Sequence, residues 1–166
     1  VMNGFRTELI NKILGFNPHI IVKPYEKKIE NRDIDKLHSL SKIIKKSMFS
    51  LNGEGILMSR ENTQGILVRA YLKKDLDKIE LLEKGIIDGS LNEFEENTIS
   101  IGKDLAISLD LVAGEEVTLM SSANITTIFG NVPTQQSFKI SSIFTSGLAE
   151  FDQNVIFMPI ESALQF

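Results

Sequence analysis

Two acidic groups in this chain have the residue types and spacing for bond chemistry: Glu93 with Glu95 and Glu96, and Glu150 with Asp152. Close carboxyls can divide general acid and general base work, one holding the proton that the other takes up. That division needs one carboxyl in a desolvated pocket. The sequence gives no sign of such an environment, and close acids in loops are far more often solvated faces, so both groups read as that. The two histidines, His19 and His38, have no partner at metal-ligand spacing. Zinc and catalytic sites need clusters of ligands or titrating partners, so both histidines read as structural or surface residues. With no cysteine there is no disulfide, no thiolate metal site and no cysteine nucleophile. No Gly-x-Ser-x-Gly elbow and no glycine-rich phosphate loop ending in Lys and Ser or Thr is present, so serine hydrolysis and ATP hydrolysis lack their local machinery. Asn124-Ile125-Thr126 has the form of a glycosylation acceptor, which carries meaning only in a eukaryotic secretory setting.

The background is that of a globular chain: 166 residues, 42% hydrophobic and 24% charged, enough for one domain or two small ones. A net charge of −4 disfavours nucleic acid, which calls for a clustered basic excess. The basic patches, Lys27-Lys28 and Lys42 with Lys45-Lys46, read as solvated faces. No run approaches the roughly 18 consecutive apolar residues of a spanning helix. No signal peptide is recognisable either. A chain opening on Val1 is expected to be a soluble piece of something longer.

The elements that must position any site alternate irregularly, which predicts an α+β class. Apolar spacing predicts helices over residues 2–14, 31–46, 73–84 and 103–109, and a closing helical turn over 160–164. Strands are expected over 19–22, 45–51, 55–59, 65–72, 98–101, 117–121, 138–144 and 155–158, with breaks at Asn52-Gly53 and at 61–64. A boundary falls naturally near residue 73. Between Met120 and Phe138 the chain keeps no firm period, yet it carries Ile125, Ile128, Phe129 and Val132. A long loop with an apolar tip is a contact surface more often than an accident.

Three blocks, in order along the chain, carry a family resemblance. Met2-Asn3-Gly4-Phe5 with Glu8-Leu9 and Ile13-Leu14-Gly15 comes first. Next are Ile101-Gly102-Lys103-Asp104-Leu105-Ala106 with Leu109, Leu111, Gly114-Glu115 and Val117. Last come Gly130, Pro133, Phe138-Lys139-Ile140, Ile143-Phe144, Gly147, Glu150-Phe151-Asp152 and Phe157-Met158-Pro159. Together they resemble the LolC/LolE-type permeases of the bacterial lipoprotein-releasing ABC transporter, in the MacB-like superfamily.

The resemblance implies a periplasmic domain of an inner-membrane protein, with a partial porter-like subdomain over 1–72 and a smaller, β-rich Sabre-like subdomain over 73–166. It also implies a β-hairpin hook at about 121–136 that captures the periplasmic carrier LolA. The hook residues would be Ile125, Thr127, Ile128, Phe129, Gly130, Val132, Pro133, Gln135 and Gln136. With glutamines where the family has basic residues, contact past the hook would rely on neutral hydrogen bonds. The chain would be non-catalytic and carry no cofactor, ATP and magnesium being used by a separate LolD-type ATPase. A second LolC/LolE-type permease and the lipoprotein substrate complete the implied partners. Two alternatives stay open: a MacB-like efflux or cell-wall-related permease domain, and a soluble periplasmic hydrolase using one of the acidic groups.

Overall fold

From residue 50 onward β-prone residues recur between turn signals, and the chain folds there into an antiparallel pair, β1 (Ser50–Met58) and β2 (Thr63–Tyr71). The computed structural model describes residues 7, 17–25, 29–40, 43–60, 62–127 and 130–165. The β1–β2 register runs unbroken from Ser50↔Tyr71 to Met58↔Thr63. Asn52-Gly53, expected as a break, therefore lies inside β1 opposite Arg69 and Val68. The reversal falls between Met58 and Thr63, close to the other expected break, and there the Ser59 N–H donates to the Asn62 carbonyl at 2.9 Å.

Five further strands follow: β3 (Ile86–Gly89), β4 (Thr98–Gly102), β5 (Glu116–Thr127), β6 (Gly130–Phe144) and β7 (Val155–Pro159). They join β1 and β2 in one sheet of order β3-β6-β4-β7-β2-β1-β5, and β6 pairs with β5 as well. Six strands thus run round in a circuit, with β3 outside it. The sheet is mixed: β2–β7 and β4–β6 are parallel, the other pairings antiparallel. The division expected near residue 73 does not separate two sheets, because β2 from before it lies against β7 from after it.

Successive strand residues face opposite ways, so β7 serves two cores. Ile156 and Met158 join Leu57, Val68, Ile101 and Leu119 on one side, covered by α3 (Lys103–Leu109) and α5 (Ile160–Gln165). Val155 and Phe157 join Tyr71, Phe144, Leu82 and Phe94 on the other. The result is a mixed helix-and-sheet fold with a sheet-dominated core.

Several elements differ from the sequence expectation for local physical reasons. The helix predicted over 31–46 is α1 (Asn31–Leu40), and Lys45 and Lys46 are exposed beyond it. The helix predicted over 73–84 is a 3-10 helix (Lys73–Lys78) followed by α2 (Glu80–Gly85). Leu76, Ile79 and Leu82, all buried, recur every third residue and so suit a three-residue turn. The strand predicted over 19–22 belongs to no helix or strand, since a strand needs a neighbour to pair with. Two elements had no sequence signal strong enough to read, β3 and α4 (Ala149–Asn154). The helix expected over 2–14 falls outside the described residues, apart from helical Thr7. Lys27-Lys28 and Lys42 fall outside them too.

Candidate functional site: the β5–β6 hairpin

The stretch read from periodicity as a loop is a β-hairpin. Its lower part pairs Glu116↔Lys139 through Met120↔Gln135, and its far part Asn124↔Pro133 through Thr127↔Gly130. Between the two parts Ser121, Ser122 and Ala123 of β5 face Thr134 of β6. Such surplus residues bend a strand and raise its twist. β1 accompanies β5 only as far as Gly55↔Ser121. Among the described residues, the ladder beyond that point is between β5 and β6 alone.

The expected contact residues are distributed along this ribbon. Ile125 and Thr127 lie on β5, opposite Val132 and Gly130, and Pro133 lies opposite Asn124. Ile128 and Phe129 lie outside the described residues. Gln135 is exposed, with its amide donating to the Met120 sulfur at 3.6 Å. Gln136 is half-buried and donates to Asn97 Oδ1 at 2.6 Å. Asn97 is itself held: its N–H donates to Ser162 Oγ at 3.1 Å, and its carbonyl accepts from the Lys139 N–H at 2.9 Å. Gln136 therefore roots the hairpin on the β4 and α5 ends, a role its sequence position did not signal.

The root is fixed at the other end of β6 as well. Asp152, 2% exposed, accepts from the Ser146 N–H at 2.8 Å, the Ser146 hydroxyl at 2.5 Å and the Thr145 hydroxyl at 2.9 Å. All three donors follow directly on β6. A Cβ on Gly102 would collide with the Asp152 carbonyl, so glycine is required where β4 passes under α4. Ser142 donates to Ser100 Oγ at 2.8 Å, and Ser141 to the Ile99 carbonyl at 3.1 Å, pinning β6 on β4. These buried hydroxyls are all satisfied, as buried polar groups must be.

The acidic groups have other surroundings than a carboxyl pair at work. Glu93, Glu95 and Glu96 are exposed; Lys139 lies 3.9 Å from Glu93, Lys73 lies 3.4 Å from Glu95, and Glu96 accepts from Gln165 at 2.8 Å. Glu150 is exposed on α4 while Asp152 is buried in the clamp. His19 is exposed. Among the described residues no group of three His, Cys, Asp or Glu could hold a metal ion, and no helix is long and apolar enough to cross a membrane.

One feature had no counterpart in the sequence reading. An open groove of about 760 Å³ lies beside α4, lined by Asn17, Glu54, Leu67, Arg69, Phe151 and Val155. The Arg69 guanidinium sits 5.0 Å from the centre of the Phe151 ring and donates to Asn17 Oδ1 at 2.8 Å. Burial pushes the neighbouring Tyr71 phenol above its ordinary value, with the charge and hydrogen bond of Arg69 opposing.

No family model matches the chain. It is 24% identical over 168 residues to the lipoprotein-releasing system transmembrane protein LolC of Xylella fastidiosa strain 9a5c, a match covering 97% of this chain and 40% of that protein. To LolC of Neisseria meningitidis serogroup B it is 24% identical over 170 residues, covering 98% and 40%. The chain thus spans about 40% of the length of the curated relatives it matches. Among solved structures, the extracellular domain of the noncanonic ABC-type transporter YknZ from Gram-positive bacteria shares the fold. It has 16% identity and a TM-score of 0.55 over 92% of this chain and 69% of that one. The periplasmic region of MacB from Actinobacillus actinomycetemcomitans gives a TM-score of 0.47 at 12% identity, over 80% and 56%. Along 97% of its length the chain is therefore similar to the LolC subunits of lipoprotein-releasing systems, the family its own residue blocks resemble.

Proposed function

We propose that this chain is the periplasmic domain of an inner-membrane ABC-transporter permease that releases lipoproteins and hands them to a LolA-type carrier. The β5–β6 hairpin is the carrier-docking element. The observation that carries this reading is the ribbon beyond Ser121, whose ladder among the described residues is between β5 and β6 alone, and whose sequence holds Ile125, Ile128, Phe129 and Val132. Such a ribbon can present apolar side chains to an apolar mouth while the groups that face across the ribbon stay paired. The similarity to LolC sets the direction of the reading.

In this reading the domain docks and couples; it makes no bonds. A separate LolD-type ATPase uses ATP and magnesium, a second LolC/LolE-type permease completes the pair, and motion passes through the periplasmic domains to the hairpin. The partial porter-like part would be residues 1–72 and the Sabre-like part 73–166. Ile125, Thr127, Ile128, Phe129, Gly130, Val132, Pro133 and Gln135 would face the carrier.

The test is carrier binding. The 166-residue chain is expected to bind purified LolA from the same source, and Ile128→Asp with Phe129→Asp should weaken binding at least about 30-fold, the scale of an interface anchor. A wild-type chain that ignores the carrier, or a double variant that binds unchanged, would remove the docking role. The fold shared with the YknZ domain supports a second reading, a MacB-like efflux or cell-wall permease, which keeps the sheet and predicts no carrier binding.

A further inference from the structure

Followed toward the hairpin tip, the β4–β6 ladder ends at Thr98↔Lys139 and the β1–β5 ladder at Gly55↔Ser121. Residues 121–123, surplus to the β5–β6 register, bend the ribbon just past this point. Its direction therefore depends on how the root is held. The buried Phe138 still fixes β6 to the body. Two residues closer to the tip a side chain takes over, where Gln136 donates to Asn97 Oδ1 at 2.6 Å.

The acceptor is itself anchored from behind. Asn97 has a left-handed backbone, φ 65°, a conformation that Asn adopts more readily than other residues with a side chain. The turn that carries it is closed between Glu95 and Thr98: the Thr98 N–H and hydroxyl both donate to the Glu95 carbonyl, at 3.1 and 2.8 Å, and the Glu95 N–H donates to Thr98 Oγ1 at 2.9 Å. α5 grips the same turn twice, through Ser162 on the Asn97 N–H and through Gln165 on Glu96. Asn97 is exposed and Gln136 half-buried, so their bond adds little to the core. What it can govern is direction. We propose that Asn97 is a positioning residue for carrier docking: through Gln136 it sets the direction in which the ribbon leaves the sheet, and with it the affinity for the carrier. This rests on the docking reading above. A ribbon already held in its binding direction loses less freedom on docking than one that swings.

The chain has no cysteine, so spin labels can be paired at will. One pair, Thr127→Cys with Ile107→Cys, spans the ribbon and exposed α3; a second, Ile107→Cys with Glu150→Cys, lies within the body. Asn97→Gly keeps the left-handed backbone and removes the acceptor, whereas Asn97→Asp keeps both. In the 166-residue chain without carrier, Asn97→Gly and Gln136→Ala should shift or broaden the ribbon distances and leave the body distances unchanged. Asn97→Asp should match wild type. Unlabelled, Asn97→Gly and Gln136→Ala should each bind the purified LolA-type carrier about fivefold more weakly, the scale of one hydrogen bond. Combined, they should bind no more weakly than either alone. Unchanged ribbon distances would overturn the proposal, and weakened binding beside them would assign Gln136 a direct carrier contact instead. A moved ribbon with unchanged binding would overturn it too. Should Asn97→Gly also move the body distances, Gln136→Ala, which leaves the turn intact, decides between these outcomes. A wild-type chain that ignores the carrier defeats the docking reading, while the distances, taken without carrier, still decide whether Asn97 aims the ribbon.

Discussion

Glu150 and Asp152 look equivalent in the sequence and have opposite fates. Two residues apart on a short helix, their side chains do not share a face; one meets water and the other receives Ser146 and Thr145. Sequence spacing could show that two acids were close but not which would be buried, because the donors arrive from the end of β6. Asp152→Ala would take away the acceptor of the buried Ser146 N–H and of the Ser146 and Thr145 hydroxyls. It should cost about 3 kcal/mol in urea unfolding, with Asp152→Asn costing less because one acceptor oxygen survives. Equal stability of Asp152→Ala and wild type would show that water replaces the carboxylate freely. Gln136 teaches the same lesson in reverse: named beforehand for an outward contact, it is half-buried against Asn97. Its neighbour Gln135, indistinguishable from it in sequence, is the exposed one.

Among the elements, those that alternate or repeat cleanly were legible: β4, α3, the near part of β5, residues 138–144 of β6, β7 and α5 all lie within a few residues of expectation. The far hairpin was not legible from periodicity. Its residues are small, polar or apolar without alternation, because in the described ladder beyond Ser121 it lies on no other strand that would impose a buried face. Only the family resemblance suggested a hairpin there. That isolation gives a prediction. Replacing residues 121–134 by an Asn-Gly turn that reconnects Met120 to Gln135 keeps their register. It should change stability by no more than about 1 kcal/mol, since among the described residues the one buried side chain removed is that of Ser121, at the end of the β1–β5 ladder, while carrier binding disappears. A large fall in the urea midpoint would mean that the ribbon packs on the body of the domain.

At the scale of the whole molecule, the strand order was the part no local pattern could reveal. β7 lies between β2 and β4, so Val68 meets Ile156 and Ile101 meets the same residue from the other side. Neither pairing leaves a trace in turn chemistry or apolar period. Hydrogen bonding also runs across the division expected near residue 73, since β2 pairs with β7. A chain cut after Asn154 should retain helix and strand signal in circular dichroism and lose cooperative unfolding, because β2 and β4 then have no strand between them. Retained cooperativity would show that the two parts fold without β7.

The place of β7 also sets a timetable. A chain that emerges from its N-terminus first carries β1–β2 joined to β6 and β4 through β5 alone, with the circuit open between β2 and β4, until residues 155–159 arrive. The five residues that close the circuit follow the other six strands in the chain. Until they pair, the edges of β2 and β4 stay open, so vulnerability to proteases and aggregation is concentrated before closure rather than after it.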